Sequence, residues 1–461
     1  MWDSVDKSAD RWGAMTEYLE HDRNGATSQH DDDDDGGDGG AHTAWFDDAR
    51  FGMFIHWDHA SQRGWEISWP LVGGIFSLPH GQQVAAADYH GLAATFDPTE
   101  YDPAGLARRA RAAGMRYVVF TTIHHSGYAM FETSTTEHKV ANSPAETPSG
   151  RDLVRETVDA FRAEGLRIGF YVSLSDWHHP DYPAWSDDFC PYQLGASPPM
   201  PTEEQAARFR SDLMTRLREL LTGYGQVDLV WFDGGWERPT DWWHPDEIAS
   251  LIQELQPGAL INDRLPGVGD FVTPEQFVPA VAPDGRWESC LTMNESWGWN
   301  PDDSQYKSSR EIINALCETA GKGGNLLLNV SPKGDGTIPQ QQTERLDAVA
   351  RWMAKHADAI HGTTAGLEAW QFYGPTTRGD GCVNMFLVMR PYDTITVRGI
   401  PVRRVRCVTT VGTGVELDFA IRTGIIEMLM DDPDGELTVT VPETELDEFV
   451  TVLRVEFTDA P

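Results

Sequence analysis

Positive charge is what this 461-residue chain has least of: 36 Lys+Arg stand against 72 Asp+Glu, a formal net charge of −36. A surface so acidic repels phosphate backbones and anionic headgroups, so nucleic acid and membrane surfaces are excluded as partners on electrostatic grounds. Lysine is scarcest, confined to Lys7, Lys139, Lys307, Lys322, Lys333 and Lys355, and arginine carries the rest of the cationic charge. Proteins of salt-loving organisms share this bias; in concentrated salt, repulsion is screened to about 3 Å. An ordinary acidic enzyme would have the same composition. Cysteine is also sparse. Cys190, Cys290, Cys317, Cys382 and Cys407 are scattered without a CxxC pair, which argues against a disulfide framework or a zinc ribbon and fits a reducing compartment. No run of ~18 apolar residues offers a membrane helix, and the first residues lack the basic-then-apolar pattern of a signal. The expectation is a soluble, cytoplasmic protein.

What is present is a folded, aromatic-rich chain: 40% hydrophobic, 10% aromatic, with 17 Trp. Its length suits a main domain with smaller companions. Residues 1–42 read as an acidic leader ending in Asp31-Asp-Asp-Asp-Asp35-Gly-Gly-Asp-Gly-Gly40, too charged and glycine-rich to bury a core and so a flexible tether; Trp12, Met15, Tyr18 and Leu19 are spaced for a short docking helix. From Trp45 onward, short apolar runs alternate with helical patterns. Strands are expected at 51–57, 117–122, 167–174, 227–233, 259–262, 287–293 and 325–331. Helices are expected at 103–113, 152–164, 203–222, 246–255, 308–319 and 343–357. Seven strands across residues 43–360 suit an α/β fold of the (β/α)8-like TIM barrel type with one strand missed or degenerate. No GxGxxG turn opens a helix as a doubly wound sheet would ask. Residues 361–461 change to short strands between turns, expected at 382–389, 394–398, 402–410, 436–441 and 450–457, a small C-terminal antiparallel β-sandwich.

The chemistry gathers where barrel strands end. His56-Trp57-Asp58-His59, His124-His125, Tyr171 with Asp176-Trp177-His178-His179, Trp231-Phe-Asp233-Gly-Gly-Trp236, Asn262-Asp263-Arg264 and Trp287-Glu288 all follow apolar runs, and barrel active sites are built at that end. A pyranose offers a hydroxyl edge for imidazole and charged partners and a C–H face for aromatic rings. Glycoside cleavage further needs two carboxyl groups across the bond. Asp233 is the foremost carboxylate: it closes an apolar run, is flanked by Trp231 and Trp236, and precedes two glycines that let substrate approach the backbone. The bland alternative is an aspartate capping a turn.

The motifs around these residues resemble the α-L-fucosidases of glycoside hydrolase family 29. They are Trp45-Phe-Asp-Asp-Ala-Arg-Phe-Gly-Met-Phe-Ile-His56-Trp57, Thr122-Ile-His124-His125-Ser-Gly-Tyr, Gly150-Arg-Asp-Leu-Val, Gly169-Phe-Tyr171-Val-Ser-Leu-Ser-Asp-Trp177-His-His, Trp231-Phe-Asp233-Gly, Ile261-Asn-Asp-Arg264 and Gly323-Gly-Asn-Leu-Leu-Leu-Asn329-Val-Ser-Pro. They run in order along the chain. The resemblance implies a retaining exo-α-L-fucosidase with Asp233 as nucleophile, His56, His124 and His125 as hydroxyl-binding imidazoles, Tyr171 and Trp231 as pocket residues, and Arg264 beside the nucleophile. It also implies an acid/base on a loop after the Asn-Asp-Arg strand, where Asp270-Phe-Val-Thr-Pro-Glu275 fits; Glu275 is therefore favoured, as a residue on a mobile loop, over Glu288 at the end of the next strand. Burial and the neighbouring carboxylate are expected to raise the acid's pKa.

Departures from the family pattern bear on specificity. Where the family commonly has His-Trp-Gly this chain has His56-Trp57-Asp58, and Gly64-Trp65-Glu66-Ile-Ser-Trp69-Pro70 replaces a Glu-Trp-Tyr stretch, making Glu66 and Trp69 candidate sugar contacts. Trp297 or Trp299 would face the side of fucose that lacks a 6-hydroxyl. No cofactor and no metal are implied, the partner being a fucosylated glycan or glycoside; oligomeric state is open, a homo-oligomer included. Two other readings stand beside this one. A metal-dependent barrel hydrolase would use His56, Asp58, His124, His125, His178 and His179, although histidines adjacent in sequence are not expected to face one ion together. A non-catalytic fucose-binding protein would keep the pocket without needing two carboxylates.

Overall fold

Seven of the apolar runs lie side by side because each carries two apolar faces, one turned to the barrel interior and one to the surrounding helices. The computed structural model describes residues 39–74, 83–140, 151–186, 189–192 and 197–458. Within them, β1 (Phe51–Ile55), β2 (Tyr117–Ile123), β3 (Arg167–Ser173), β4 (Leu229–Asp233), β5 (Leu260–Ile261), β6 (Glu288–Leu291) and β7 (Asn325–Val330) pair in parallel in the order β5-β4-β3-β2-β1-β7-β6. All seven expected strands are present. So are the expected helices, as Pro103–Ala112, Leu153–Ala163, Glu203–Gly223, Pro245–Leu255, Ser309–Gly321 and Gln340–His356. Their starts are written in local chemistry. Asp102 and Asp152 accept from the backbone N–H groups of Gly105 and Arg155, and Thr202 with Gln205 and Ser308 with Glu311 form reciprocal capping boxes.

The sheet closes through a segment with no strand pattern. Between β5 and β6, residues 271–275 form parallel bridges Asn262–Phe271, Val272–Trp287 and Glu275–Cys290, with Glu288 N–H donating to Val272 O at 2.9 Å and Cys290 N–H to Pro274 O at 3.0 Å. Pro274 has no N–H, so the ladder is interrupted. This is the degenerate eighth strand, and it ends at Glu275. The chain thus forms a (β/α)8-like barrel in which Glu275 stands at a strand end and not on the mobile loop expected.

Alternation decides what points inward. Leu229 and Trp231 of β4 pack in the interior with Phe54, Tyr117, Val119, Tyr171, Leu260, Cys290 and Leu327, while Val230 and Phe232 pack outward among the helices. By the same period of two, Asp233 follows Trp231 on the inner side. Beyond residue 363 two antiparallel sheets form. One runs β12 (Val405–Thr410), β15 (Thr451–Phe457), β10 (Cys382–Leu387), β9 (Thr376–Gly379), β8 (Thr364–Ala365); the other runs β11 (Thr394–Pro401), β14 (Asp434–Thr440), β13 (Phe419–Arg422). Met385, Leu453, Ile395, Val397, Leu437 and Val439 share their core, the expected β-sandwich, with β8, β9 and β13 added. Trp352 Nε1 donates to Val450 O at 2.8 Å and ties the sandwich to the last barrel helix.

The helix Gly39–Ala49 begins inside the expected leader, so structured chain starts before residue 43. The proposed docking residues Trp12, Met15, Tyr18 and Leu19 and the aspartate run lie outside the described residues. Among the described residues no helix is long and apolar enough to cross a membrane.

Candidate active site

At the strand ends, Asp233 is 8% exposed and fully engaged. Tyr171 OH donates to its Oδ2 at 2.7 Å and Arg264 Nη1 to its Oδ1 at 2.9 Å, and His125 Nε2 lies 3.5 Å from Oδ2. Burial pushes the Asp233 carboxyl upward, but the Arg264 charge, His125 and the Tyr171 hydrogen bond outweigh it and hold its pKa below the ordinary carboxylate value. Asp233 is thus ionised at neutral pH. Gly234 follows in a left-handed conformation, φ 75°, and a Cβ there would stand 2.6 Å from Ser175 Oγ, so only glycine fits against the His125 support.

The same guanidinium reaches the second carboxyl. Arg264 Nη2 donates to Glu275 Oε2 at 2.6 Å while Nε bonds Thr273 Oγ1 at 3.1 Å, and the Arg264 Cζ sits 4.5 Å over the Trp231 ring. Asp233 and Glu275 are therefore held within the span of one planar cation. The Glu275 side chain is 39% exposed and ion-paired, in place of the buried, carboxylate-repelled environment expected for it.

Glu288 is elsewhere. It opens β6 instead of ending a strand, is 0% exposed, and accepts from Tyr117 OH and from Trp231 Nε1, the latter at 3.1 Å. Burial raises its pKa to about 7. It lies in the barrel interior beneath Trp231, on the side away from the strand ends.

Three imidazoles line the other side. Asn329 Nδ2 donates to Trp297 O at 2.7 Å, so its Oδ1 accepts from His56 Nδ1 at 2.8 Å, leaving His56 Nε2 as an acceptor. His124 Nδ1 contacts Ser68 Oγ at 2.6 Å, and His125 Nδ1 contacts Ser173 Oγ at 2.6 Å and Ser175 Oγ at 2.9 Å. Burial depresses His56 to about 3 and His125 to about 4, and carries His124 well down too. All three are neutral near pH 7, so each both donates and accepts. The His124 ring stacks on Tyr171 at 5.3 Å, Trp297 lies 4.7 Å from His56, and Trp69 lies 6.1 Å and 5.6 Å from His124 and His125. Glu66 accepts from Trp297 N–H at 2.7 Å, and burial lifts its pKa to about 8, so it is a protonated carboxyl beside the pocket.

The structure thus gathers Asp233, Glu275, Arg264, Tyr171, Trp231, His56, His124, His125, Trp297, Trp69 and Glu66, and separates Glu288. Trp299 stands near Lys333 instead, Asp58 caps the turn after β1 by accepting from Ala60 N–H at 2.8 Å, and His179 pairs with Asp212 at 3.0 Å. Contrary to expectation, neighbours in sequence do converge: His124, His125 and Asp233 each bring one donor atom within 4.8 Å of the others. Sequence reasoning missed the residues that aim these groups. Asn329 was findable, since it alternates with inward Leu327 at the end of β7. Ser68, Ser173, Ser175 and Thr273 carry no pattern that marks them.

Comparison with known proteins agrees with this geometry. A family model described as Alpha-L-fucosidase matches residues 19–358, beginning inside the expected leader. The tissue α-L-fucosidase of Homo sapiens is 29% identical over 430 residues, covering 87% of this chain and 85% of that protein; that of Mus musculus is 31% identical over 342 residues, 69% of this chain and 71% of that one. Among solved structures, α-L-fucosidase isoenzyme 1 from Paenibacillus thiaminolyticus superposes with a TM-score of 0.78 at 35% identity, covering 91% of this chain and all of that one. A GH29 α-L-fucosidase from Bacteroides thetaiotaomicron, trapped as a covalent intermediate with 2-fluoro-fucosyl fluoride, superposes at 0.76 with 26% identity, covering 90% and 96%. With the ordered motifs, the barrel and the strand-end carboxylate all in place, this chain belongs to the α-L-fucosidase family, glycoside hydrolase family 29.

Proposed function

We propose that the protein is a retaining exo-α-L-fucosidase that removes terminal α-L-fucosyl residues from glycosides, with Asp233 as nucleophile and Glu275 as acid/base. The observation that carries this reading is the single Arg264 guanidinium joining Asp233, held ionised at the end of β4, to Glu275 at the end of the degenerate strand. Two carboxyls so joined suit the short separation, about 5–5.5 Å, that retention requires. Asp233 attacks the anomeric carbon as the glycosidic C–O bond breaks, and protonated Glu275 gives its proton to the departing oxygen. Glu275 then takes a proton from water, whose oxygen displaces Asp233 and releases fucose.

Binding follows from the neutral imidazoles and the rings. Among the described residues His125 Nε2 has no hydrogen-bond partner, and a sugar hydroxyl bridging it and Asp233 would supply one. His56 and His124 offer further hydroxyl contacts, Glu66 a protonated carboxyl, and Trp297 and Trp69 apolar faces for the side of the ring without a 6-hydroxyl. The division into a catalytic barrel to about residue 360 and a packed sandwich belongs to this reading. So does a cytoplasmic location without nucleic-acid partners, supported by five free cysteines and the −36 charge.

The test is release of p-nitrophenol from p-nitrophenyl α-L-fucoside by the wild type and two variants. Glu275→Ala should lose about 10²–10⁴-fold in rate on natural-type leaving groups and be rescued by azide to give the α-azide; Asp233→Gly rescued by azide should give the β-azide. Normal turnover in Asp233→Gly ends the assignment. The converging His124, His125 and Asp233 favour a metal-assisted reading as the alternative, for which activity must fall in EDTA and return with metal in a His138→Gln variant, which leaves this trio intact. Fucose binding without hydrolysis under any salt condition would favour a binding protein.

A further inference from the structure

Outside the catalytic pocket, four imidazoles from four separate segments meet. His59 follows β1, His90 lies on the helix Ala86–Gly91, His138 follows β2 and His178 follows β3. His59, His90 and His138 each bring one donor atom within 4.8 Å of the others, and His90 Nδ1 lies 3.2 Å from His138 Nε2. That is close to the separation, about 3.3 Å, of two imidazole nitrogens bound at ~2.0–2.1 Å to one tetrahedral zinc ion. The His178 ring is 4.2 Å from that of His138 and 4.5 Å from that of His90.

The second observation is independent of the clustering. His59 is 0% exposed, yet among the described residues neither of its ring nitrogens reaches a hydrogen-bond partner; Nδ1 lies 3.8 Å from Asp58 Oδ1. A buried imidazole ordinarily finds partners for its nitrogens, because leaving one unmade forfeits its hydration without return. A cation at the centre of the cluster gives His59 that partner, with the Asp58 carboxylate behind the ring where metal-bound imidazoles are often backed by a carboxylate. Nearby Tyr89 OH bonds Ile67 O at 2.7 Å and reaches Asp58 Oδ2 at 3.3 Å, and Ser126 Oγ donates to Asp58 Oδ2 at 3.3 Å, which fixes Asp58 in place.

We propose that His59, His90 and His138, with His178 as fourth ligand, form a binding site for a divalent first-row transition-metal ion of the zinc class. All-imidazole ligands select zinc, nickel, copper or iron over magnesium and calcium, which need oxygen. The ion sits beside the pocket and takes no part in bond cleavage. It clamps the segments after β1, β2 and β3, the first two of which also carry His56, His124 and His125, and so acts by positioning them. The site is separate from the His124, His125 and Asp233 trio, and its existence does not depend on the catalytic assignments.

The test uses the full chain, stripped with a chelator and desalted, then titrated with ZnCl2 by calorimetry and thermal melting, and with CoCl2 by visible absorption. One equivalent should bind, Tm should rise by several degrees, and cobalt should give the intense absorption of a tetrahedral imidazole site. His90→Gln and His138→Gln, both half-buried positions that should fold as the stripped wild type does, should each abolish the Tm rise and the cobalt band, while Asp233→Asn should keep both. Absence of zinc-dependent stabilisation and of the cobalt band in the wild type overturns the proposal. So does retention of both signals in the two histidine variants with their loss in Asp233→Asn, which would put the ion in the catalytic pocket.

Discussion

Replacing Glu288 by Gln separates the two candidate acids by stability as well as by rate. Glu288 is wholly buried and its pKa stands near 7 against an ordinary 4.5. Between those values the folded state holds a proton that the unfolded state has released, so folding stability falls as pH rises through this window and is level above it. At about 1.4 kcal/mol per pH unit, the 2.5-unit gap between the two pKa values corresponds to about 3 kcal/mol lost between pH 4.5 and 7. The amide of the Glu288→Gln variant cannot titrate. Any constant penalty from its N–H2 facing the Tyr117 and Trp231 donors cancels when the difference between variant and wild type is followed with pH. Urea unfolding at pH 5 and pH 8 should therefore show the variant gaining about 2.5 kcal/mol relative to wild type across that range. Its turnover should stay within about tenfold of wild type, since Glu288 reaches the pocket only through the Trp231 ring, against the 10²–10⁴-fold loss expected of an acid/base. A pH-independent stability difference would refute the titration argument. A large rate loss rescued by azide would make Glu288 the acid/base and overturn the choice of Glu275.

Three further outcomes are expected. Tyr171→Phe removes the 2.7 Å hydrogen bond to Asp233, one of the contributions that hold Asp233 low, so the acid limb of the kcat/KM profile should move to higher pH and kcat/KM fall about 10–100-fold; an unmoved acid limb refutes this. Arg216→Ala strands Asp176, its buried partner at 2.7 Å, and urea unfolding at pH 7 should show a loss of about 3–5 kcal/mol. Because Asp176 is held below its ordinary 3.8, burial being outweighed chiefly by Arg216, that deficit should shrink as pH falls through the acid range and persist above it. The −36 charge predicts that activity and Tm rise with KCl into the molar range, and unfolding on salt addition would contradict the screening argument.

Local chemistry explains what was legible. Every expected barrel strand and helix appears where its periodicity placed it, because a segment between helices and a barrel interior must be apolar on both faces and helix starts need capping oxygens such as those of Asp102, Asp152, Thr202 and Ser308. The short edge strand β13, largely exposed, shows no such pattern, since exposure removes the pressure that creates it. The segment Phe271–Glu275 was likewise illegible as a strand. Pro274 breaks its ladder, and it bridges β5 and β6 by a few bonds instead of a continuous register.

The sequence by itself determined the barrel, the sandwich and the nucleophile candidate, because strand alternation alone carries Asp233 from Trp231 to the inner side of β4. It also named the pocket imidazoles through motifs that are contiguous in the chain. Only the tertiary structure sets the two candidate acids apart in space: barrel closure lifts Glu275 to the strand ends beside Arg264, while Glu288 begins its strand and is buried below Trp231. The same holds for the hydroxyls of Ser68, Ser173 and Ser175 that orient the imidazoles, and for the meeting of His59, His90, His138 and His178. Such groups are far apart in sequence and become neighbours only when the successive strands are drawn around one axis, a relation that no local periodicity encodes.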